Sequence, residues 1–332
     1  MAAVKRLRWG LLGTARINRA LIPALRASER SELLAVASRD ADKGAAYARE
    51  WGIPRVLGYE EMLGDPAIDV VYIPLPNSLH AEWTVRTARA GKHVLCEKPL
   101  ALTVEEVDAV AAAARATGVV VAEAFMYRHH PQTRRVKELV AAGAIGDVKL
   151  VRGAFTFDLT RETDVRLAAS LGGGSLWDVG CYPVSYARYL VGAEPAEAFG
   201  WQAVGPSGID EGFYGQLRFG PDVFAQFDSG FRAAFRTRLE VVGRAGAIVV
   251  DRPFKPTPQE SIHLTRGDQT EEVPVSGPAE LYLGEVEDMA DAVLLGRPPS
   301  ISLAESRGNV AALVALYRSA REGRPAPVTR HG

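Results

Sequence analysis

Cysteine is nearly absent: Cys96 and Cys181 are the only two in 332 residues. Their positions form neither a disulfide framework nor a metal-ligand spacing. The chain therefore reads as a cytoplasmic protein with two reduced, buried thiols and no metal site. An excess of either charge is also missing, with 39 Lys and Arg against 40 Asp and Glu and a net charge of -1. That balance leaves no electrostatic footprint for nucleic acid or an anionic membrane. No apolar run approaches the ~18 residues of a membrane span. The start, Met1 to Gly13, carries basic residues, but the apolar stretch behind them is too short for a leader. Internal repeats and low-complexity segments are lacking. What is present is ordinary globular composition, 47% hydrophobic and 24% charged. The length suits roughly two domains.

The first 125 residues alternate between two patterns. Apolar runs stand at Leu7–Leu12, Leu33–Ala37, Val70–Leu75, His93–Cys96 and Val119–Phe125, with a weaker one at Arg55–Leu57. Helical stretches lie between them: Asn18 to Ala27, Asp40 to Gly52, Ser78 to Gly91, and Thr103 to Gly118. The last opens on Thr103 and Glu106 in capping-box spacing. This alternation predicts an α/β domain at 1–125 with a parallel, doubly wound Rossmann sheet. The pattern then changes. A helix from Gln132 to Ala142 leads to a long strand, Asp147 to Phe157, and a glycine cluster opens a helix running to Val191. Strands with short spacings follow from Ala196 to Val275, which suits antiparallel pairing. Helices at Glu280–Leu295 and Leu303–Arg321 close the chain. Residues 126–332 thus read as an α+β domain with a mainly antiparallel sheet, and the last helix is placed to pack back on the first domain.

Gly13, Thr14, Ala15, Arg16 and Ile17 join the first strand to the first helix, where backbone N–H groups and the positive helix end can hold a phosphate. Ala15 and Asn18 replace the second and third glycines of the dinucleotide fingerprint. The second strand ends at Ser38 and Arg39, with Lys43 a turn further on. A carboxylate near this position selects NAD, whereas a hydroxyl and two cations attract a 2′-phosphate. NADP is the expected cofactor, with NAD as the alternative. Asp40 reads as a helix N-cap. Pro76, Asn77 and His80 follow the fourth strand and face the same crevice.

Two constellations could carry chemistry. The run His93 to Cys96 reads as a buried parallel strand that ends in Glu97-Lys98-Pro99. Ligands of open α/β sheets bind beyond the carboxyl ends of the strands, so Lys98 sits where chemistry is done. Pro99 limits the backbone before it to extended conformations. Further on, Gly172-Gly173-Gly174 precede Asp178 and Tyr182, which are four apart and share one helix face. An acid and a phenol on that face could meet Lys98. Taken alone, either residue is also explained by helix-dipole or core packing roles.

Together, Gly13–Ile17, Pro76–His80, Glu97-Lys98-Pro99, Glu123–Arg128 and Gly172–Tyr182 make the chain resemble the Gfo/Idh/MocA family of NAD(P)-dependent oxidoreductases. The resemblance implies a Rossmann domain, an open-faced sheet that mediates homodimers or homotetramers, and Lys98 as the catalytic lysine. It also implies Glu97, Arg128 and the crevice residues as cofactor contacts. Tyr182 looks like the branch that holds glucose–fructose oxidoreductase, D-xylose 1-dehydrogenase and sugar ketoreductases. The implied reaction moves a hydride between NADP and a hydroxyl or carbonyl of a sugar or polyol. A free tyrosine has a pKa of about 10, and a nearby ammonium lowers it toward the working pH. Tyr182 is therefore read as acid/base and Lys98 as its tuning charge, with proton transfer by Lys98 itself as the alternative. Asp178 would bind a substrate hydroxyl or orient Lys98. Tyr127, Arg128 and Arg166 would line the pocket, while His129 and His130 read as structural or exposed. Competing functions are an NAD-retaining glycoside hydrolase, a trans-dihydrodiol dehydrogenase and a non-catalytic cofactor-binding regulator.

Overall fold

A computed structural model describes residues 6–329. The first residues of the basic start considered above, 1–5, lie outside the described residues. The chain divides into two compact units. One takes the residues up to Met126 together with Glu280–Ser306, and the other takes Tyr127–Ala279 with the residues from Arg307 onward.

In the first unit the elements run β1 (Leu7–Leu12), α1 (Asn18–Ala27), β2 (Ser31–Ala37), α2 (Ala41–Trp51), β3 (Arg55–Leu57), α3 (Tyr59–Gly64), β4 (Val70–Ile73), α4 (His80–Arg89), β5 (His93–Glu97), α5 (Val104–Thr117) and β6 (Val121–Ala124). Among the described residues they form a six-stranded sheet in the order β3-β2-β1-β4-β5-β6. Its pairs are parallel. The strand order reverses direction between β1 and β4, and the crevice at that point is where a doubly wound sheet binds its ligand. Continuous apolar runs form these strands because both faces are covered; all of Val70–Ile73 is buried. The expected caps are present. Asp40 accepts from the Lys43 amide to start α2, and Thr103 and Glu106 form the capping box of α5. Helix α3 is not apparent in the sequence, because six residues are too few to show a helical period.

The second unit begins with α6 (Pro131–Ala141), β7 (Val148–Asp158), α7 (Cys181–Val191), β8 (Glu197–Val204), β9 (Asp210–Arg218) and β10 (Phe224–Gly230). It continues with β11 (Arg232–Gly243), β12 (Ala247–Val250), β13 (Gln259–Arg266) and β14 (Gln269–Ser276). After α8 (Leu283–Leu295), which belongs to the first unit, come α9 (Leu303–Glu322) and β15 (Ala326–Pro327). The nine strands order as β14-β13-β12-β11-β7-β10-β9-β8-β15. Among the described residues the sheet is antiparallel except for one pair: β7 inserts between β10 and β11 and runs parallel to β10. Loop length alone could not reveal this, since it says nothing about a strand made much earlier in the chain. One face is packed by α7 and α9, with Gly153 against Pro183 and Gly215 against Leu316. The other face exposes Trp201 and Tyr214, which are direct cross-strand partners.

Candidate active site

The loop after β1 is built around a position that only glycine suits. Gly13 has φ +118°, and a Cβ there would stand 3.3 Å from both the Leu75 side chain and the Tyr59 hydroxyl. Thr14 to Ile17 complete the loop, with Arg16 exposed. Asn18 is buried where a glycine was expected, and its amide donates to the Gly13 carbonyl at 2.9 Å. It thus braces the loop from inside. Helix α1 begins with no side-chain cap and no acid in its first turn. Its positive end is left for an anion, so these residues fit the pyrophosphate of a dinucleotide. At the end of β2, Ser38 accepts from the Asp40 amide at 3.2 Å. Arg39 lies against the Tyr59 phenol. Burial raises the pKa of that phenol, and the Arg39 charge opposes the rise. Lys43 is exposed in the first turn of α2. Tyr59, on the α3 that the sequence did not show, is a site residue that only the structure reveals.

After β4, Pro76 precedes a single 3-10 turn over Asn77–Leu79. His80 was expected to face the cofactor, but both its ring nitrogens are engaged by protein. Nδ1 meets the Pro99 carbonyl at 2.7 Å and Nε2 the Leu75 carbonyl at 2.6 Å. The ring is buried and offers no nitrogen to a ligand. Lys98 follows β5 directly, at the carboxyl end of the sheet, and its bond to Pro99 is cis. Glu97 accepts from the buried Tyr72 hydroxyl. Glu285, on α8, is buried with no hydrogen-bond partner for either carboxyl oxygen. Burial, with the Glu97 and Asp288 charges, raises its pKa well above the carboxylate range.

The glycine-led segment of the second unit departs from the expected continuous helix. Leu176–Gly180 form a π turn, and the α-helix starts at Cys181. Pro183 has no N–H to donate to Val179, so the regular ladder cannot run through this point. Such turns recur at functional sites. Asp178 lies within the π turn and Tyr182 in the first turn of α7. Gly174 anchors the segment with φ +128°; a Cβ there would overlap Asp210 and the Tyr317 hydroxyl. Asp210 accepts from Tyr317 Oη at 2.6 Å, Ser175 Oγ at 2.8 Å and the Leu176 amide at 2.7 Å. Burial raises the Asp210 pKa, while the bonds from Tyr317, Leu176 and Ser175 oppose the rise.

Arg166, expected to touch substrate, donates from Nε to Asp178 Oδ2 at 2.7 Å and also pairs with Asp164. Asp178 is thereby held beside a fixed cation, and its charge raises the pKa of Arg166. Tyr127, expected in the pocket lining, is wholly buried, and its hydroxyl donates to Ser185 at 3.0 Å. Its ring packs against Tyr182, with centroids 5.7 Å apart, and against Tyr186. With Phe155 and Phe254 it walls in the Tyr182 ring. Arg128 is buried and stacks 3.7 Å over the Tyr189 ring. His129 and His130 are both buried, and His130 caps α6. Asp210, Tyr317, Ser185 and Phe254 carry no local sequence signal. They are brought in from distant strands and helices.

Residues 7–125 match the family described as "Oxidoreductase family, NAD-binding Rossmann fold", and residues 133–249 match the "GFO/IDH/MocA C-terminal domain". The chain belongs to the Gfo/Idh/MocA family. It is an oxidoreductase with a nicotinamide-dinucleotide-binding fold. A D-xylose 1-dehydrogenase (NADP(+)) of Haloferax volcanii is 39% identical over 319 residues, covering 95% of this chain and 98% of that protein. The aldose-aldose oxidoreductase of Caulobacter crescentus, solved with glycerol, superposes with a TM-score of 0.90 at 30% identity, covering 97% of this chain and 100% of that one. A 3-ketoreductase from Actinomadura kijaniata, solved with NADP and TDP-benzene, gives a TM-score of 0.90 at 32% identity, covering 95% and 98%. No helix among the described residues is long and apolar enough to cross a membrane, and none of their His, Cys, Asp and Glu side chains cluster as a metal site.

Proposed function

We propose that this Gfo/Idh/MocA oxidoreductase uses NADP to interconvert a hydroxyl and a carbonyl on a sugar or related polyol, with Lys98, Tyr182 and Asp178 serving the reacting carbon. The carrying observation is the placement of Lys98 at the carboxyl end of β5, in the same sheet whose β1–β4 crevice holds the Gly13 loop. The nicotinamide, when bound, accepts or supplies the hydride. Tyr182 moves the hydroxyl proton, its ring held by Phe155, Phe254 and Tyr127. Lys98 supplies the charge that favours the phenolate and binds the reacting oxygen. Asp178, paired with Arg166, accepts a hydrogen bond from a substrate hydroxyl rather than a proton. Glu97 and Arg128 belong to the cofactor contacts in this reading. Support comes from the Actinomadura ketoreductase: solved variants replace one lysine and one tyrosine, and these are as far apart in sequence as Lys98 and Tyr182.

Lys98→Met should abolish turnover on a panel of aldoses, dihydrodiols and keto-sugars while NADPH still binds in a fluorescence titration. Turnover near that of the unaltered protein would refute the assignment. Ser38, Arg39 and Lys43 favour NADP, as the names of two relatives do for those proteins. Arg39→Ala should raise the NADP Michaelis constant about 10–100-fold, the worth of a charge-assisted contact, and leave that for NAD nearly unchanged. Equal effects on both cofactors would remove the NADP preference. The reading also places the protein in the cytoplasm as a homodimer or homotetramer. Its exposed sheet face carries Trp201 at 60% and Tyr214 at 55% exposure, a patch suited to burial against a second copy. Light scattering after chromatography should show Trp201→Glu shifting the assembly toward monomer.

A further inference from the structure

The peptide that joins Pro99 to Leu100, immediately after Lys98, is gripped at both of its polar atoms. Its carbonyl meets His80 Nδ1 at 2.7 Å, and its N–H donates to Glu123 Oε1 at 2.9 Å. His80 and Glu123 are each 1% exposed. They arrive from different elements, the start of α4 and the interior of β6. The other ring nitrogen of His80 meets the Leu75 carbonyl at 2.6 Å. The Leu75 side chain and the Tyr59 hydroxyl in turn stand equally near, at 3.3 Å, to where a Cβ on Gly13 would lie. A continuous set of contacts thus runs from the phosphate loop through Leu75 and His80 to the turn that carries Lys98.

A carbonyl oxygen only accepts, so each His80 contact calls for an N–H. A neutral imidazole supplies one and the imidazolium supplies two. Burial of the ring and the charge of Lys98 work against the cation, while the Pro99 and Leu75 carbonyls work for it. Either way the ring cannot rotate without breaking a short, water-excluded contact. A phenyl ring would fill the space but hold neither carbonyl.

We propose that His80 is a positioning residue for Lys98, acting with Glu123 as a clamp on the Pro99–Leu100 peptide and linking that clamp to the loop after β4. This rests on the reading of Lys98 as catalytic. The amine must reach the reacting oxygen within a few tenths of an ångström, and a displacement of about 1 Å costs ~10²-fold in rate. The test compares His80→Phe, His80→Gln and Lys98→Met in the full chain, using the panel substrate that the unaltered protein turns over fastest. His80→Phe should lower kcat about 10–100-fold with NADPH affinity within about threefold, and should shift the alkaline limb of the kcat profile. His80→Gln keeps an N–H for one carbonyl and should fall between. If His80→Phe does not fold, His80→Gln alone decides by the same split of kcat from affinity. A kcat within about twofold of the unaltered protein, or an unshifted limb with kcat and affinity falling together, overturns the proposal. If Lys98→Met is inactive while His80→Phe is unimpaired, only the clamp fails. If Lys98→Met stays active, the reading of the lysine fails first.

Discussion

In the first unit, Gly13, Asn77 and Lys98 stand beyond the carboxyl ends of interior parallel strands, and side chains hold the site by gripping main-chain groups. The Gly13 carbonyl is braced by Asn18, the Leu75 and Pro99 carbonyls by His80, and the Leu100 amide by Glu123. In the second unit, Asp178 and Tyr182 are held by other side chains. Arg166 pairs with Asp178, Asp210 draws together Ser175 and Tyr317, and the rings of Tyr127, Phe155 and Phe254 enclose Tyr182. A site made from loop backbone places its groups within short stretches of sequence and relies on a few buried side chains, such as His80 and Glu123, to grip them. A site made from side-chain networks depends on partners scattered along the chain, and each is a point of failure.

The contrast can be pressed hardest at Tyr182. Tyr182→Phe keeps the packed ring and removes only the hydroxyl. It should slow the chemical step by about 10²-fold or more, with melting temperature and NADPH affinity little changed. A rate close to that of the unaltered protein in stopped-flow would mean that the aromatic enclosure serves packing alone.

A smaller effect is expected at Arg166. Arg166→Met removes the Arg166 ion pair of Asp178, which is 13% exposed on the carboxylate side and 41% on the guanidinium side. Partial solvent access discounts the cost, so about 1–3 kcal/mol of stability should be lost. Combining Arg166→Met with Asp178→Asn should restore most of that stability but not turnover. If the double variant is as unstable as the single, in urea melts, the network picture of the second unit is wrong.

The smallest effect concerns Glu285 in the first unit. The folded chain keeps this acid protonated above the range where the unfolded chain releases the proton, because burial comes first and the Glu97 and Asp288 charges add to it. The folded state therefore binds the extra proton, and stability declines as pH rises from the ordinary carboxylate range through the raised value. Glu285→Gln should flatten that decline in melting curves taken from acid to alkaline pH. An unchanged slope would place the titration elsewhere.

The same contrast explains how much could be read from the residues alone. The Gly13 loop, the Asp40 and Thr103 caps, and Lys98 at the end of an apolar run were legible because each is encoded within a few neighbouring positions. The dinucleotide fold follows from strand–helix alternation, and the order β3-β2-β1-β4-β5-β6 agrees with it. The second sheet was legible as mainly antiparallel but not in its one parallel pair. What stayed hidden depended on distance along the chain. Nothing near Tyr127 says that its hydroxyl will be taken by Ser185. Nothing near His80 distinguishes a ring facing a ligand from one locked between two carbonyls. The π turn could have been suspected from Pro183, which removes a donor in the first turn of α7.

Helix α8 carries a consequence for how the protein is made. It is synthesised long after β1–β6, yet it belongs to the same compact unit. Arg30 must wait for Glu287, 257 positions later, and for Asp291, before its ion pairs can form. The emerging N-terminal segment thus leaves the ribosome lacking part of its own covering layer. Strands β7 to β14 of the second sheet have to be threaded out before that layer arrives. Completion of the nucleotide-type unit is thereby deferred until nearly the end of translation, and a nascent chain stopped before α8 should be more exposed to proteases than its count of finished strands suggests.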